Sequence, residues 1–512
     1  MKNMIPVIDL FAGPGGLGEG FSSYSDQVFK IKLSVEKDLY AYNTLELRSF
    51  FRQFGSNEVP SEYYKLLSIQ DREEQEDYIK KLYRKYYFKS KAAKNEVWRA
   101  ELGKTKSDLV DNRIKKALNT NKDWVLIGGP PCQAYSLAGR SRVGGINEED
   151  NRVFLYREYL RIIAQHEPSI FVMENVKGLL SAELNNKKIF PMILEDLKNP
   201  SRPFPETNAS NYKIYSFVHS PSSFDLSGNP VYDKNRDYLI KAEDFGVPQR
   251  RHRVILLGIR EDIDIIPKTL KKKSKTTIKD VIKDLPPIRS GVSREYIKRG
   301  TKYSLKNLTD NYSNWKKKVE EQMDVTNLHF KINKEHFIYG RGSNYIPHNN
   351  LNGSDIVLKD WFKDEKIKGV CNHESRSHLV QDLGRYIFAA DFMQKNNRSP
   401  KLSDYPDELL PKHKNVKSGK FVDRFRVQNP REPATTITSH ISKDGHYFIH
   451  YDPLQCRTLT VREAARVQTF PDNYFFRGSR TQQYIQVGNA VPPYLAMQLA
   501  EIVYDILKKH ND

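Results

Sequence analysis

Met4-Ile5-Pro6-Val7-Ile8-Asp9-Leu10-Phe11, continued by Ala12-Gly13-Pro14-Gly15-Gly16-Leu17-Gly18, is an apolar run that stops at a glycine-rich tight turn. A run of this length bounded by glycine and proline predicts a strand, and a helix can start near Glu19. Ile31-Lys32-Leu33-Ser34-Val35 predicts a second strand ending at Glu36. Strand, turn, helix and strand make the front half of a nucleotide-binding βαβ unit. The turn lets backbone N–H groups approach a ligand closely, and an acid ending the second strand is placed to accept a ribose hydroxyl. Such turns also serve merely to pack a helix on a sheet, and the spacing departs from GxGxxG, which counts against NAD.

Working outward, residues from about 51 to 122 are rich in Lys, Glu and Tyr with few glycines, and predict exposed helices inserted into the sheet domain. Strand character returns at Trp124-Val125-Leu126-Ile127, at Ile170-Phe171-Val172-Met173 and over 254–259, with a helix around 154–164. Strands alternating with helices predict an α/β fold with a mostly parallel sheet. A charged linker at Lys271-Lys272-Lys273-Ser274-Lys275 and then Leu285-Pro286-Pro287 place the end of this domain at residue 287. Residues 288–458 lose the βαβ rhythm, turn rich in Asn, His, Lys and aromatics, and predict a smaller, mixed second domain. Residues 459–512 regain a helical pattern and return to the first domain, with Pro492-Pro493 opening a last amphipathic helix.

The chain has 512 residues, 38% of them hydrophobic, enough for more than one domain with a sizeable core. Its 83 Lys and Arg against 63 Asp and Glu leave a formal charge of +20, which suggests a polyanionic partner such as nucleic acid. No apolar run reaches the roughly 18 residues of a membrane-spanning helix, and the opening residues lack the longer apolar centre of a signal peptide. Cys132, Cys371 and Cys456 are too few and too scattered for a disulfide framework, so a reducing cytoplasm is the expected setting and a conspicuous cysteine calls for a chemical reason.

Cys132 is the conspicuous one. Gly129-Pro130-Pro131-Cys132-Gln133 follows a strand directly, at the carboxyl edge where open α/β sheets bind ligands, and the two prolines stiffen the backbone before the thiol. The usual fate of a free thiol is burial in a core. The small, polar and basic run Ser136-Leu137-Ala138-Gly139-Arg140 that follows fits a nucleophile on a phosphate-seeking loop better. Glu174 ends the strand that begins at Ile170 and can serve as proton donor to a ring nitrogen or as a helix-capping acid. In Gln249-Arg250-Arg251-His252-Arg253 the alternate residues Gln249, Arg251 and Arg253 share one face of an extended chain.

Taken in order, Asp9-Leu10-Phe11-Ala12-Gly13-Pro14-Gly15-Gly16, Gly129-Pro130-Pro131-Cys132-Gln133, Glu174-Asn175-Val176, Gln249-x-Arg251-x-Arg253 and Gln486-Val487-Gly488-Asn489-Ala490-Val491-Pro492-Pro493 resemble the motifs of the DNA (cytosine-5)-methyltransferases of bacterial restriction-modification type. The resemblance implies a Rossmann-like, S-adenosylmethionine-dependent catalytic domain (1–287, with the 51–122 insertion), a target-recognition domain (288–458) and a returning C-terminal segment (459–512). It places Phe11 against the donor's adenine, Gly13, Gly15 and Gly16 near its methionine part, Glu36 on its ribose, and Pro130 and Asn489 in the same pocket. It makes Cys132 the nucleophile that adds to cytosine C6, with Glu174, Arg251 and Arg253 supporting the ring. Gln133, Ser136, Arg140, Gln249 and Arg376 are the expected DNA contacts, with holding the fold as the other reading of Arg376.

The resemblance further implies a cytosine flipped out of duplex DNA, and relatives of this type often protect host DNA within restriction-modification or phage-defence systems, so the expected partners are duplex DNA, bound by a monomer, and, in a restriction-modification setting, a cognate endonuclease acting on the same site. The alternative substrate is tRNA, which the long second domain disfavours; a catalytically idle DNA-binding protein would not need Cys132, Glu174 and Arg253, and a dehydrogenase explains only the glycine turn. Two features depart from the family: the insertion obscures the Asp-Ile pair that contacts the donor's adenine amine, and Lys37 stands where many relatives have a bulky apolar residue. Cys371, His373 and His378 lack a fourth ligand at suitable spacing, so no metal site is expected. Arg431-Glu432-Pro433-Ala434-Thr435-Thr436-Ile437 resembles the family segment that organises the second domain.

Overall fold

The computed structural model describes residues 4–25, 28–55, 58–131, 151–184, 186–299, 302–348, 355–411 and 423–512. They fall into two compact units, one of Met1–Asn57, Tyr86–Ser274 and Ala490–Asp512, the other of Glu58–Lys85 and Lys275–Asn489.

The first unit is built on one eight-stranded sheet. Its strands are β1 (Ile5–Leu10), β2 (Phe29–Glu36), β3 (Val97–Arg99), β4 (Val125–Gly128), β5 (Ile170–Val176), β6 (Tyr212–Ser216), β7 (Leu239–Lys241) and β8 (His252–Arg260). They lie in the order β7-β8-β5-β4-β1-β2-β3, with β6 sharing the outer edge of β8 with β7. Five strands from β3 to β5 run parallel, while β8 is antiparallel to β5, β6 and β7. The α/β class read from the sequence holds, with an antiparallel edge added to the parallel sheet.

A parallel sheet is covered on both faces, and the alternation in β1 shows how. Ile8 and Leu10 join Leu126, Phe171, Leu160 and Ile163 in one core, whereas Val7 joins Val125, Ile127 and Val172 on the other face. That second core is closed by Leu495, Leu499, Val503 and Ile506 of the helix Pro493–Asn511. The helix lies against α1 (Gly16–Ser23), and the segment leading into it comes so close that a Cβ on Gly16 would sit 2.1 Å from the Val491 carbonyl oxygen. Only a glycine admits that approach, which binds the 490–512 segment to the opening turn. After β2, α2 (Leu39–Arg52) starts at Asp38, whose side chain accepts the Tyr40 and Ala41 N–H groups at 3.0 and 2.9 Å.

The stretch 51–122, predicted as one insertion, is divided between the units. Residues 86–122 stay with the sheet and contribute the helices Tyr87–Glu96 and Ser107–Leu118 and the edge strand β3. Glu58–Lys85, the helices Ser61–Ser68 and Arg72–Lys85, belong to the second unit. Polar contacts explain the assignment: Tyr64 Oη donates to Asp364 at 2.7 Å, Asn344 donates to the Ile69 carbonyl at 3.2 Å, Gln70 donates to the Tyr345 carbonyl, and Arg477 pairs with Glu76. The units also part at other points than composition suggested, after Ser274 and after Asn489.

In the rest of the second unit, β9 (Gly291–Arg299) and β10 (Lys302–Asn307) form a hairpin joined by β13 (Ser377–Leu379), while β11 (Gly342–Pro347) pairs with β12 (Gly369–Glu374). The helices Tyr312–Thr326 and Val380–Asn396 share a core with Trp315, Val319, Leu383 and Ile387. A buried ionic framework runs through the helix Val461–Val467. Arg457 forks onto Glu463 at 2.6 and 2.7 Å, Arg466 bridges Asp284 at 2.6 Å and Asp472 at 2.8 Å, and Arg462 donates to the carbonyls of Cys371, Pro471 and Tyr474.

Candidate active site

The sheet brings two clusters of predicted residues to its carboxyl edge. At the ends of β1 and β2, the Gly13 N–H donates to Glu36 Oε2 at 2.8 Å, and the Asp38 N–H donates to Oε1 at 2.7 Å. Burial holds the Glu36 carboxyl above its usual range, and these two N–H groups pull it back toward the charged form. Gly13 and Gly15 take φ values of +57° and +91°, and a Cβ on Gly13 would meet nothing within 4 Å, so this turn faces open space. Phe11 has φ +55°, a strained conformation for a bulky residue, held while its ring packs on the core beside Leu10. Asp9, two residues further back, is buried, and among the described residues neither of its carboxylate oxygens is hydrogen-bonded.

The second cluster lies where β4, β5 and β8 meet. Parallel pairing sets Gly128 beside Met173, and a Cβ on Gly129 would lie 3.1 Å from Glu174 Oε2. The chain through buried Pro130 therefore leaves the sheet directly next to the Glu174 carboxylate. Antiparallel pairing of β8 with β5 sets Arg253 opposite Val176, and its Nε lies 2.9 Å from Glu174 Oε1. Nη1 of the same guanidinium donates to the His252 carbonyl at 2.9 Å. Arg251 is buried; loss of solvent and the charge of Arg253 work against its own charge, which Glu174 favours. Gln249 is fully buried.

Cys132, Gln133, Ser136 and Arg140 lie outside the described residues. Asn489 is the exposed last residue of the helix Arg480–Asn489 in the second unit. Arg376 is engaged within the second unit, as the fold-holding reading has it: its guanidinium lies 4.1 Å over the Tyr484 ring and donates to the carbonyls of Ile441 and Lys443. Cys371 and His373 are likewise internal. Burial pushes the Cys371 thiol up to about 12. His373 donates from Nε2 to the Pro286 carbonyl at 2.9 Å, which leaves Nδ1 to accept from the Thr460 hydroxyl at 2.9 Å.

One contact beside the second cluster was missed in the sequence. His252 Nε2 lies 2.8 Å from Glu243 Oε1, and Ala242 N–H donates to the Arg251 carbonyl at 3.1 Å, so the 3-10 turn Ala242–Phe245 braces the strand that carries both arginines. No spacing signals it, since the partners lie on separate elements.

Residues 72–200 and 234–505 match the C-5 cytosine-specific DNA methylase family. The chain belongs to that family. It is thus an enzyme that methylates DNA at cytosine C5. A Type II methyltransferase of Bacillus paralicheniformis is 33% identical to it over 525 residues, covering 99% of this chain and all of the relative. A DNA (cytosine-5-)-methyltransferase of Aeropyrum pernix is 26% identical over 75% of this chain and 81% of its own length. Among solved structures, a prophage-encoded protein of E. coli assigned to DNA modification methyltransferases aligns over 98% of this chain and 99% of its own with a TM-score of 0.52; at 19% identity that likeness speaks to the fold.

Proposed function

We propose that the family reaction runs here with S-adenosylmethionine as donor and Cys132 as covalent nucleophile, on a cytosine flipped out of a specific duplex site. The observation that carries the reading is the 2.9 Å Glu174–Arg253 pair at the point where the chain leaves β4 toward Cys132. The first cluster suits the donor: a glycine turn facing open space, with the Glu36 carboxyl beneath it to take a ribose hydroxyl. When bound, the donor supplies an electrophilic methyl group on a sulfonium.

Cytosine C5 is a poor nucleophile, so a thiolate must first add to C6. The S–C6 bond forms as the C5=C6 π pair becomes available at C5, and charge builds toward N3 and O2. Glu174, as the acid, gives N3 a proton while Arg253 bonds O2; both come from rigid strand ends rather than from a loop. C5 then takes the methyl group, a base removes the C5 proton, and elimination of the Cys132 thiolate restores the C5=C6 double bond while N3 returns its proton. C6 is unreachable inside a stacked duplex, and unpairing the base costs a few kcal/mol. The second unit is the target-recognition part, and the +20 charge supports phosphate contacts.

The Type II name of the relative supports a role in restriction-modification, and we propose that the protein acts in the cytoplasm, as a monomer on DNA, protecting that DNA against a restriction endonuclease that cuts the same site. The deciding experiment offers labelled donor with duplex DNA, tRNA, and duplex containing 5-fluorocytosine. Transfer to duplex, with a trapped adduct mapping to Cys132, is the expected result; transfer to tRNA alone, or trapping at another cysteine, would overturn it.

A further inference from the structure

Asp9 is the one charged residue of β1, and 1% of it is exposed. Among the described residues neither of its oxygens has a hydrogen-bond partner. Its carboxyl lies under the first turns of α1, with Oδ2 3.0 Å from where a Cβ on Gly18 would be. The groups that face it from each packed element are otherwise engaged. On β2, Glu36 accepts from Gly13 and Asp38 and repels a second negative charge. On α2, Arg52 donates to Glu96 at 2.5 Å and lies 3.7 Å from Glu19. On the helix Asn151–His166, the Tyr159 hydroxyl donates to the Val172 carbonyl. From α1, the Gly18 N–H favours the charged form without completing a hydrogen bond.

A carboxylate buried without partners is costly, and protonation removes most of that cost. Burial pushes the Asp9 carboxyl up to about 8, against the pull of Arg52. Glu36, which takes the Gly13 N–H, is near enough to Asp9 to act on its charge, so a sulfonium held at this glycine turn would bring a positive charge within reach of the acid.

We propose that Asp9 is a neutral carboxylic acid in the free enzyme and gives its proton to solvent when the cationic donor enters the turn, so that donor binding is coupled to proton release. The inference rests on S-adenosylmethionine being the donor. One O–H bond breaks, one proton leaves, and the local charge stays unchanged as a cation arrives. Methyl transfer turns the sulfonium into a neutral thioether, the carboxylate loses its counter-charge, and it takes a proton back as the product departs. Asp9 would then be a positioning and selectivity residue that favours donor over spent product.

The test is calorimetric titration of the full chain with S-adenosylmethionine and with S-adenosylhomocysteine at pH 7, in buffers of different ionisation enthalpy. The expected result is release approaching one proton with the methylated nucleoside and markedly less with the demethylated one. Asp9→Asn should abolish the difference and lower the preference for the cation about tenfold, with S-adenosylhomocysteine still bound. Should that variant misfold, difference infrared spectroscopy of the unaltered protein should show a protonated-carboxyl band lost on adding S-adenosylmethionine and kept on adding S-adenosylhomocysteine. Equal proton release by both nucleosides, or no change in that band, overturns the role of Asp9 while leaving the donor in place; failure of both nucleosides to bind overturns the donor itself.

Discussion

Replacing Arg253 by lysine keeps a positive charge and removes the fork. In the structure Nε meets Glu174 and Nη1 meets the His252 carbonyl, both at 2.9 Å, on side chains only 17% and 13% exposed for the Arg253–Glu174 pair. A hydrogen bond to a charged group is worth about 1.5–3 kcal/mol and one between neutral groups about 0.5–1.5 kcal/mol. A lysine recovers one of the two contacts, so the expected loss of stability is about 1–2 kcal/mol. The catalytic loss should be larger, because one ammonium cannot stay on Glu174 and also meet the cytosine O2. Removing a single preorganised donor of this kind costs about 10²–10³ in kcat, or about 2.7–4 kcal/mol. The assay is single-turnover methyl transfer with saturating duplex and donor, beside a binding isotherm for the donor. We expect the chemical step to fall by that factor and donor affinity to hold within about threefold. A chemical step within about threefold of the parent would refute the role given to Arg253, and a matching fall in donor affinity would show that the change had spread to the first cluster.

Three further outcomes follow from the same geometry. Cys371 and Cys456 are 1% exposed and burial raises both thiols, so a disulfide reagent applied to the native enzyme should find a single fast thiol that disappears in Cys132→Ser. His373 is held neutral by burial, lowered to about 4 from 6.5, so the unfolded chain binds the proton more readily between those values; stability should be full above about pH 6.5 and fall by up to about 3 kcal/mol as the pH drops to about 4, a loss that thermal unfolding of His373→Gln should show diminished. Exchanging residues 290–450 with a relative should change the methylated site and keep the reaction, but the exchange cuts Tyr64 from Asp364 and Gln70 and Ile69 from the β11 strand, so a chimera that also carries 58–85 should melt measurably higher; equal melting of the two would show that the pair of helices is indifferent to its partner.

What could be read in the chain was whatever depends on neighbours in sequence. The run from Ile5 to Glu36 specifies strand, turn, helix and strand locally, and a strand end and a period of two mark Glu174 and Arg253 as candidates. The pairing of those two residues depends on β8 lying antiparallel to β5, which no local pattern encodes. The stretch 51–122 reads as one body for a similar reason: exposed-looking helices at 58–85 and 86–122 have alike compositions, and only distant partners such as Asp364 and Tyr345 separate them. Arg376, Arg457, Arg462 and Arg466 carry roles that no local pattern encodes. Arginine in a basic protein reads as surface or phosphate contact, yet each of these is buried and committed to carbonyls, carboxylates or a ring.

The closeness of Gly16 to the Val491 carbonyl has a bearing on how the enzyme is made. The sheet unit needs Ala490–Asp512, and that segment is translated only after all of Lys275–Asn489. During synthesis the apolar face of Val7, Leu17 and Phe21 stays without its covering helix until the ribosome has passed the whole of the other unit. A chain that stops before residue 490 therefore has the glycine turn but not the helix that packs against α1, and the sheet unit closes only once Ala490–Asp512 has been made. The same arrangement exposes the waiting face to chaperones for the longest interval, and a slow codon tract within residues 275–489 should lengthen that exposure more than one placed earlier.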